Sequence, residues 1–141
     1  MEPQTTGNKR SVLLVEDNET YRKAVRLAME VAGFTILEAE NGKRGLELIK
    51  MQTPAIVLCD IHMPEMDGLA LLSEVKKDPA LSTVPIIMLT NIQEEIEHSV
   101  KAGADEAILK SSLTPHQVVD VCLKHLSETP QTSETSPPVS S

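Results

Sequence analysis

Tryptophan is absent from the 141-residue chain, and tyrosine and phenylalanine occur once each, as Tyr21 and Phe34. A core without aromatic volume must be packed from Leu, Ile, Val, Ala and Met. Cysteine is nearly as scarce: Cys59 and Cys122 lie far apart, each inside an apolar segment. They read as free thiols behaving as small hydrophobes rather than as a disulfide. No apolar run approaches the ~18 residues of a membrane span. The start of the chain, "MEPQTTGNKR", lacks the apolar stretch of a secretory signal. A soluble, cytoplasmic protein that contacts no membrane is expected. Basic residues are in deficit, 13 Lys and Arg against 21 Asp and Glu, for a net charge of -8. Phosphate backbones are met by clustered cations in excess, so nucleic acid is not an expected partner. An acidic chain is suited instead to a metal ion or a basic protein patch.

The length permits one domain, large enough to fold without a disulfide or metal staple. Residues 1–9 are polar, and residues 128–141 hold a single aliphatic side chain, Val139, among Ser, Thr, Pro and Glu. Such stretches cannot offset their ordering entropy by burial. They are expected to be a disordered extension and a disordered tail or truncated linker around one ordered domain over residues 10–127.

Within that domain short apolar runs alternate with segments of helical period, and the pattern repeats five times. The runs are Val12 to Val15, Phe34 to Leu37, Ile56 to Cys59, Ile86 to Leu89 and Ala107 to Leu109. The first, third and fourth are continuously apolar, as in strands covered on both faces. The first helical segment shows Ala24, Leu27, Ala28 and Val31 at i, i+3, i+4 and i+7, with Asn18 as a cap before it and Gly33 as a stop after it. Leu46 and Ile49 mark the second, from about Gly42 to Met51, and Leu69, Leu72 and Val75 the third. Ile96 and Val100 give the fourth a thin stripe. In the fifth, Thr114, Pro115 and Gln117 form an N-cap, an N1 proline and the partner of a capping box. The spacing predicts an α/β fold, (βα)5, with an open, doubly wound five-stranded parallel sheet. In such sheets ligands bind beyond the carboxyl ends of the strands.

Those ends carry Glu16 and Asp17 after the first strand, Asp60 after the third, Thr90 after the fourth and Lys110 after the fifth. Three carboxylates in one place repel one another: a pair 4 Å apart costs roughly 4 kcal/mol at an effective dielectric of 20. A hard divalent cation such as Mg²⁺ relieves that repulsion and accepts phosphate oxygens as well. Lys110 offers a point charge and Thr90 a donor, both suited to a phosphoryl group. A carboxylate can itself accept phosphoryl, which makes Asp60 the candidate acceptor. The other reading of Glu16 and Asp17 is that of ordinary first-turn acids at a helix N-terminus. Thr90, or Asn91 with Glu94, could equally cap the helix that follows.

The segments "VLLVEDNE", "IVLCDIHMPEMDG", "PIIMLTN" and "AILKS" resemble, in order and spacing, the motifs of the response-regulator receiver domain, the phosphoacceptor module of two-component signalling. The resemblance covers the whole ordered region. It implies a flavodoxin-like strand order 2-1-3-4-5 and phosphorylation of Asp60 by a histidine kinase or phosphotransfer protein. Glu16, Asp17, Asp60 and the backbone carbonyl of His62 would hold Mg²⁺, and Asp60, Thr90 and Lys110 would form the catalytic set. Pro64 and Gly68 would shape the loop. The downstream protein would meet the face of helix 4, strand 5 and helix 5, with a phosphorylation-dependent dimer also possible, and the chain would not be an enzyme on other substrates.

Three positions depart from the family pattern. Ala107 stands where many receivers carry an aromatic switch residue, Ser111 where proline is usual, and Asn91 where a small residue is common. His62, two residues past the acceptor, reads as tuning water access to an acyl phosphate rather than as a side-chain ligand. Two rivals stand beside this reading: an unphosphorylated receiver-like scaffold, favoured by Ala107 and Ser111, and a metal-dependent phosphatase with an aspartyl-phosphate intermediate. The phosphatase would prefer a second carboxylate at the position of His62.

Overall fold

In the computed structural model, which describes residues 10–127, the apolar runs form the strands of one sheet. The extension expected over 1–9 and the tail expected over 128–141 lie outside the described residues. The strands are β1 (Ser11–Val15), β2 (Thr35–Ala39), β3 (Ile56–Asp60), β4 (Ile86–Thr90) and β5 (Glu106–Leu109). The helices between and after them are α1 (Glu19–Val31), α2 (Gly42–Gln52), α3 (Gly68–Lys77), α4 (Glu94–Lys101) and α5 (Pro115–Ser127). All strand pairs are parallel and the order is β2-β1-β3-β4-β5, as the resemblance implied.

Alternate residues of each strand serve opposite layers, which is why the central runs are apolar throughout. Leu13, Val15, Val57, Cys59, Ile86 and Met88 pack with Leu48 and Ile49 of α2 and Leu71, Leu72 and Val75 of α3. Val12, Leu14, Ile56, Leu58, Ile87 and Leu89 pack on the other face with Val25 and Met29 of α1 and Val118, Val119 and Cys122 of α5. Both cysteines are free and buried. Asn18 caps α1 by accepting from the Tyr21 amide at 2.8 Å, and Gly33 ends it at φ 97°. Thr114 and Gln117 exchange the two hydrogen bonds of a capping box.

Three expectations need correction. The buried stripe of α1 is Val25 and Met29, flanked by Tyr21, Ala28 and Ala32, whereas Leu27 is 52% and Val31 82% exposed. Both stripes satisfy helical spacing. The observed rotation buries Val25 and Met29 in the core and sets the Nε atoms of Arg22 and Arg26 3.0 and 3.2 Å from the Glu38 carboxylate on β2. Strand β2 begins at Thr35, because Phe34 turns into the core beneath the Arg10 guanidinium, 4.4 Å from the ring centre. In α4 the buried residue is Ser99, while Val100 is 47% exposed. His125 Nε2 donates to Glu106 Oε1 at 2.7 Å and ties α5 to β5.

The corrected face of α1 is tested by thermal or urea unfolding. Met29→Ala should destabilise by about 2–4 kcal/mol through the cavity it leaves. Val31→Ala should stay within about 0.5 kcal/mol of the parent, as surface changes do. The opposite ranking would restore the face read from the sequence.

Candidate functional site

The carboxyl ends of β1 and β3 are adjacent, and there the chain's crossovers diverge, β1 leading to β2 on one side and β3 to β4 on the other. Parallel register sets Val15 beside Cys59 and Asp60 beside Leu89. Glu16, Asp17 and Asp60 therefore meet, with one oxygen of each within 4.8 Å of the others. Asp60 is the last residue of β3 and Thr90 the last of β4, both buried, and Lys110 opens a 3-10 turn, Lys110–Ser112, directly after β5. All five polar residues picked from the sequence at the strand ends lie at this edge.

Glu16 is fully buried. Its Oε2 accepts from the Asn18 amide at 3.0 Å, while Oε1 lies 2.9 Å from Lys110 Nζ in a charge contact without hydrogen-bond alignment. A buried carboxylate oxygen thus keeps an unspent lone pair facing the cluster. Lys110 also reaches Asp60 Oδ1 at 3.4 Å, and its ammonium sits over the Tyr21 ring, 4.7 Å from the centroid. One cation stands against three carboxylates. Burial, then the Glu16 carboxylate, pushes the Asp60 carboxyl up to about 6, with Asp17 adding to the rise and Lys110 opposing it. Burial next to Glu16 and Asp60 pushes the Tyr21 phenol up to about 12. The same crowding, with burial first, holds the Cys59 thiol well above its ordinary range.

The loop after Asp60 is shaped by backbone approach. The Gly68 amide donates to the Ile61 carbonyl at 2.7 Å, and a Cβ at Gly68 would lie 2.3 Å from the Asp60 carbonyl oxygen. Pro64 accepts from the Met66 amide, and Met63 and Met66 pack on the core. Asp67 caps α3 by accepting from the Ala70 amide at 2.8 Å. His62 is exposed in this loop, and its ring meets Glu95.

Two residues at the site were missed in the sequence. Tyr21 roofs Lys110 from the first turn of α1, and its ring was visible only as a scarce aromatic. Glu95, in the first turn of α4, accepts from the Thr90 hydroxyl at 2.5 Å through Oε1. His62 Nε2 donates to its Oε2 at 2.7 Å. Neither proposed cap of α4 forms: the helix follows Gln93, which makes no capping bond, and Thr90 Oγ1 instead accepts from the Ile92 amide at 3.0 Å. The spacing of Glu95 from Thr90 carries no helix signal, because the residues between belong to a loop.

The donor set fits a hard divalent cation. Three carboxylates converge, one buried oxygen is not hydrogen-bonded, and the surplus of negative charge is only partly met by Lys110.

Residues 12–121 match the family model described as the response regulator receiver domain. Over 108 residues, 75% of this chain, it is 36% identical to Histidine kinase P4 of Formosa agariphila, of which it spans 8%. It is 37% identical over 101 residues to the transcriptional regulatory protein CseB of Streptomyces coelicolor, covering 70% of this chain and 42% of that one. Among solved structures, a CheY-like response regulator receiver domain protein from Methanospirillum hungatei JF-1 superposes with a TM-score of 0.76 at 26% identity, over 84% of this chain and 94% of that one. The chain thus spans less than half the length of these two curated relatives, and nearly all of the solved receiver domain.

Burial and the neighbouring Glu16 charge together give Asp60 a measurable pH dependence. Asp60 has a folded value above its unfolded one, so its ionisation opposes folding above pH 6 and ceases to do so as pH falls toward 4. In metal-free buffer at pH 7.5, Asp60→Asn should be more stable than the parent by about 1–2 kcal/mol, part of the full shift being screened by solvent. The gap should close between pH 7 and pH 4 in parallel melts. A gap that is absent at pH 7.5, or that widens on acidification, would contradict the electrostatics described.

Proposed function

The chain belongs to the receiver domain family of response regulators, and from that premise we propose that it serves a phosphorelay by accepting a phosphoryl group on Asp60 in the presence of Mg²⁺. The observation that carries the reading is the meeting of Glu16, Asp17, Asp60 and Lys110 at one strand edge. The receiver unit extends over residues 10–127.

The donor is a phosphohistidine on a histidine kinase or phosphotransfer protein. An Asp60 carboxylate oxygen attacks phosphorus, the new P–O bond forms as the P–N bond breaks, and the departing imidazole nitrogen keeps the electron pair and takes a proton from solvent. Glu16, Asp17, Asp60 and the His62 carbonyl would hold Mg²⁺, which would neutralise charge on the phosphoryl oxygens. Lys110, held between Glu16 and the Tyr21 ring, pairs with a phosphoryl oxygen. Thr90 donates to another. Pro64 and Gly68 keep the loop close to the acceptor. These groups position and neutralise, and they act on the domain's own phosphorylation and dephosphorylation, so the role is regulatory.

Output passes through the surface of α4, β5 and α5 to a downstream protein, or to a second copy of the chain. Val100 within α4, and Ile92 just before it, are exposed apolar side chains available for contact. Ala107, at the usual aromatic switch position, has only a methyl group, so an aromatic rotamer plays no part in the transmission. No helix of the described residues is long and apolar enough to cross a membrane, which accords with a cytoplasmic site of action.

Incubation with Mg²⁺ and acetyl phosphate should add the mass of one phosphoryl group to the intact chain. Asp60→Asn should take up none, and chelation of the metal should abolish the adduct. An unmodified parent chain would overturn the reading in favour of a scaffold.

A further inference from the structure

Thr90 is not idle in this structure. Its hydroxyl proton goes to Glu95 Oε1, and its oxygen accepts from the Ile92 amide. A carboxylate only accepts, so His62 must carry the proton in its 2.7 Å bond to the other Glu95 oxygen. One side chain of the first turn of α4 thereby bridges the loop after β3 and the end of β4. Its side chain is 21% exposed, so the bridge is only partly open to competing water. Helix α4 has no side-chain N-cap, and these two bonds tie its first turn to the site in place of one.

We infer that Glu95 is a positioning residue that acts through Thr90 as a latch, holding the threonine hydroxyl on α4 and releasing α4 when a phosphoryl group on Asp60 takes the hydroxyl instead. The inference rests on the proposed phosphoryl acceptance at Asp60. A threonine hydroxyl has a single proton to donate, and a phosphoryl oxygen, like a carboxylate, offers only lone pairs at neutral pH. Thr90 can serve one of them at a time. Glu95 and the phosphoryl group are therefore competitors, and the unmodified state is favoured by the strength of the Thr90–Glu95 bond. Release leaves Glu95 bonded to His62 alone, and the first turn of α4 loses its tie to β4. The signal reaches α4 and its exposed neighbours Ile92 and Val100 without any aromatic at residue 107.

The test uses the full chain with Mg²⁺ and beryllofluoride, a non-covalent stand-in for the phosphoryl group. Affinity is read by calorimetry and the Ile92 amide by NMR. Glu95→Ala should bind beryllofluoride about tenfold more tightly, the worth of a hydrogen bond to a charged acceptor removed from the free state. Glu95→Gln, which keeps a neutral acceptor, should gain less. In the free Glu95→Ala protein the Ile92 amide resonance should already lie partway to its beryllofluoride-bound position. In a Thr90→Ala background the Glu95→Ala gain should vanish, which separates a latch acting through the hydroxyl from simple charge repulsion, whose gain would persist. Thermal melts confirm that each variant is folded.

Equal affinities of the parent and Glu95→Ala, or a gain that survives in the Thr90→Ala background, would overturn the latch while leaving phosphoryl acceptance intact. A parent chain that binds no beryllofluoride would overturn both together.

Discussion

Like charge held at close range is the constraint around which the molecule is built. Glu16, Asp17 and Asp60 bring oxygens within 4.8 Å of one another, one of them fully buried, with Lys110 as the neighbouring ammonium. Left to themselves such groups would separate or protonate, and the Asp60 carboxyl, pushed up to about 6 by burial first and by Glu16 second, leans toward the second. The sheet denies them the first. Cys59, directly before Asp60, is aligned with Val15 on β1, and Asp60 itself with Leu89 on β4. Separating the acids would mean breaking the ladder at the centre of the core.

The remaining parts of the fold hold that edge in place. The Glu16 amide donates to Ala39 at the end of β2, and Arg22 donates to the Glu16 carbonyl at 2.6 Å while also pairing with Glu38. Helix α1 thus holds the first acid through the same arginine that pairs it with β2. Close backbone contact at Gly68 fixes the loop after the acceptor. Tyr21 and Glu16 leave Lys110 little freedom. What is free to change lies on the α4 side, where Thr90, Glu95 and His62 meet through hydrogen bonds instead of packing.

The alternation of apolar runs and helical segments made the (βα)5 architecture readable, because strands buried on both faces leave an unbroken apolar signature, as in Val12 to Val15 and Ile86 to Leu89. The strand-end acids, Thr90 and Lys110 were readable for a related reason: once the strands are placed, their carboxyl ends are placed too. The face of α1 was not readable. Two stripes satisfied the same period, and the one that is buried meets partners in other elements, the core around Val25 and Met29 and Glu38 of β2, which no local pattern shows. Glu95 and Tyr21 were hidden in the same way, since each reaches the site from a helix whose orientation no local pattern specifies. Within α4 the single buried side chain is Ser99, so hydrophobic periodicity had little to report there.

A crystal structure of the chain with Mg²⁺ and beryllofluoride tests the central claim most directly, since it shows the acceptor, the metal ligands and the threonine together. The account predicts beryllium on an Asp60 oxygen and the metal against Glu16, Asp17, Asp60 and the His62 carbonyl. It also predicts Lys110 on one fluoride, and the Thr90 hydroxyl moved from Glu95 to another. Beryllofluoride on a different carboxylate, or a metal held without Asp17 and Asp60, would contradict it.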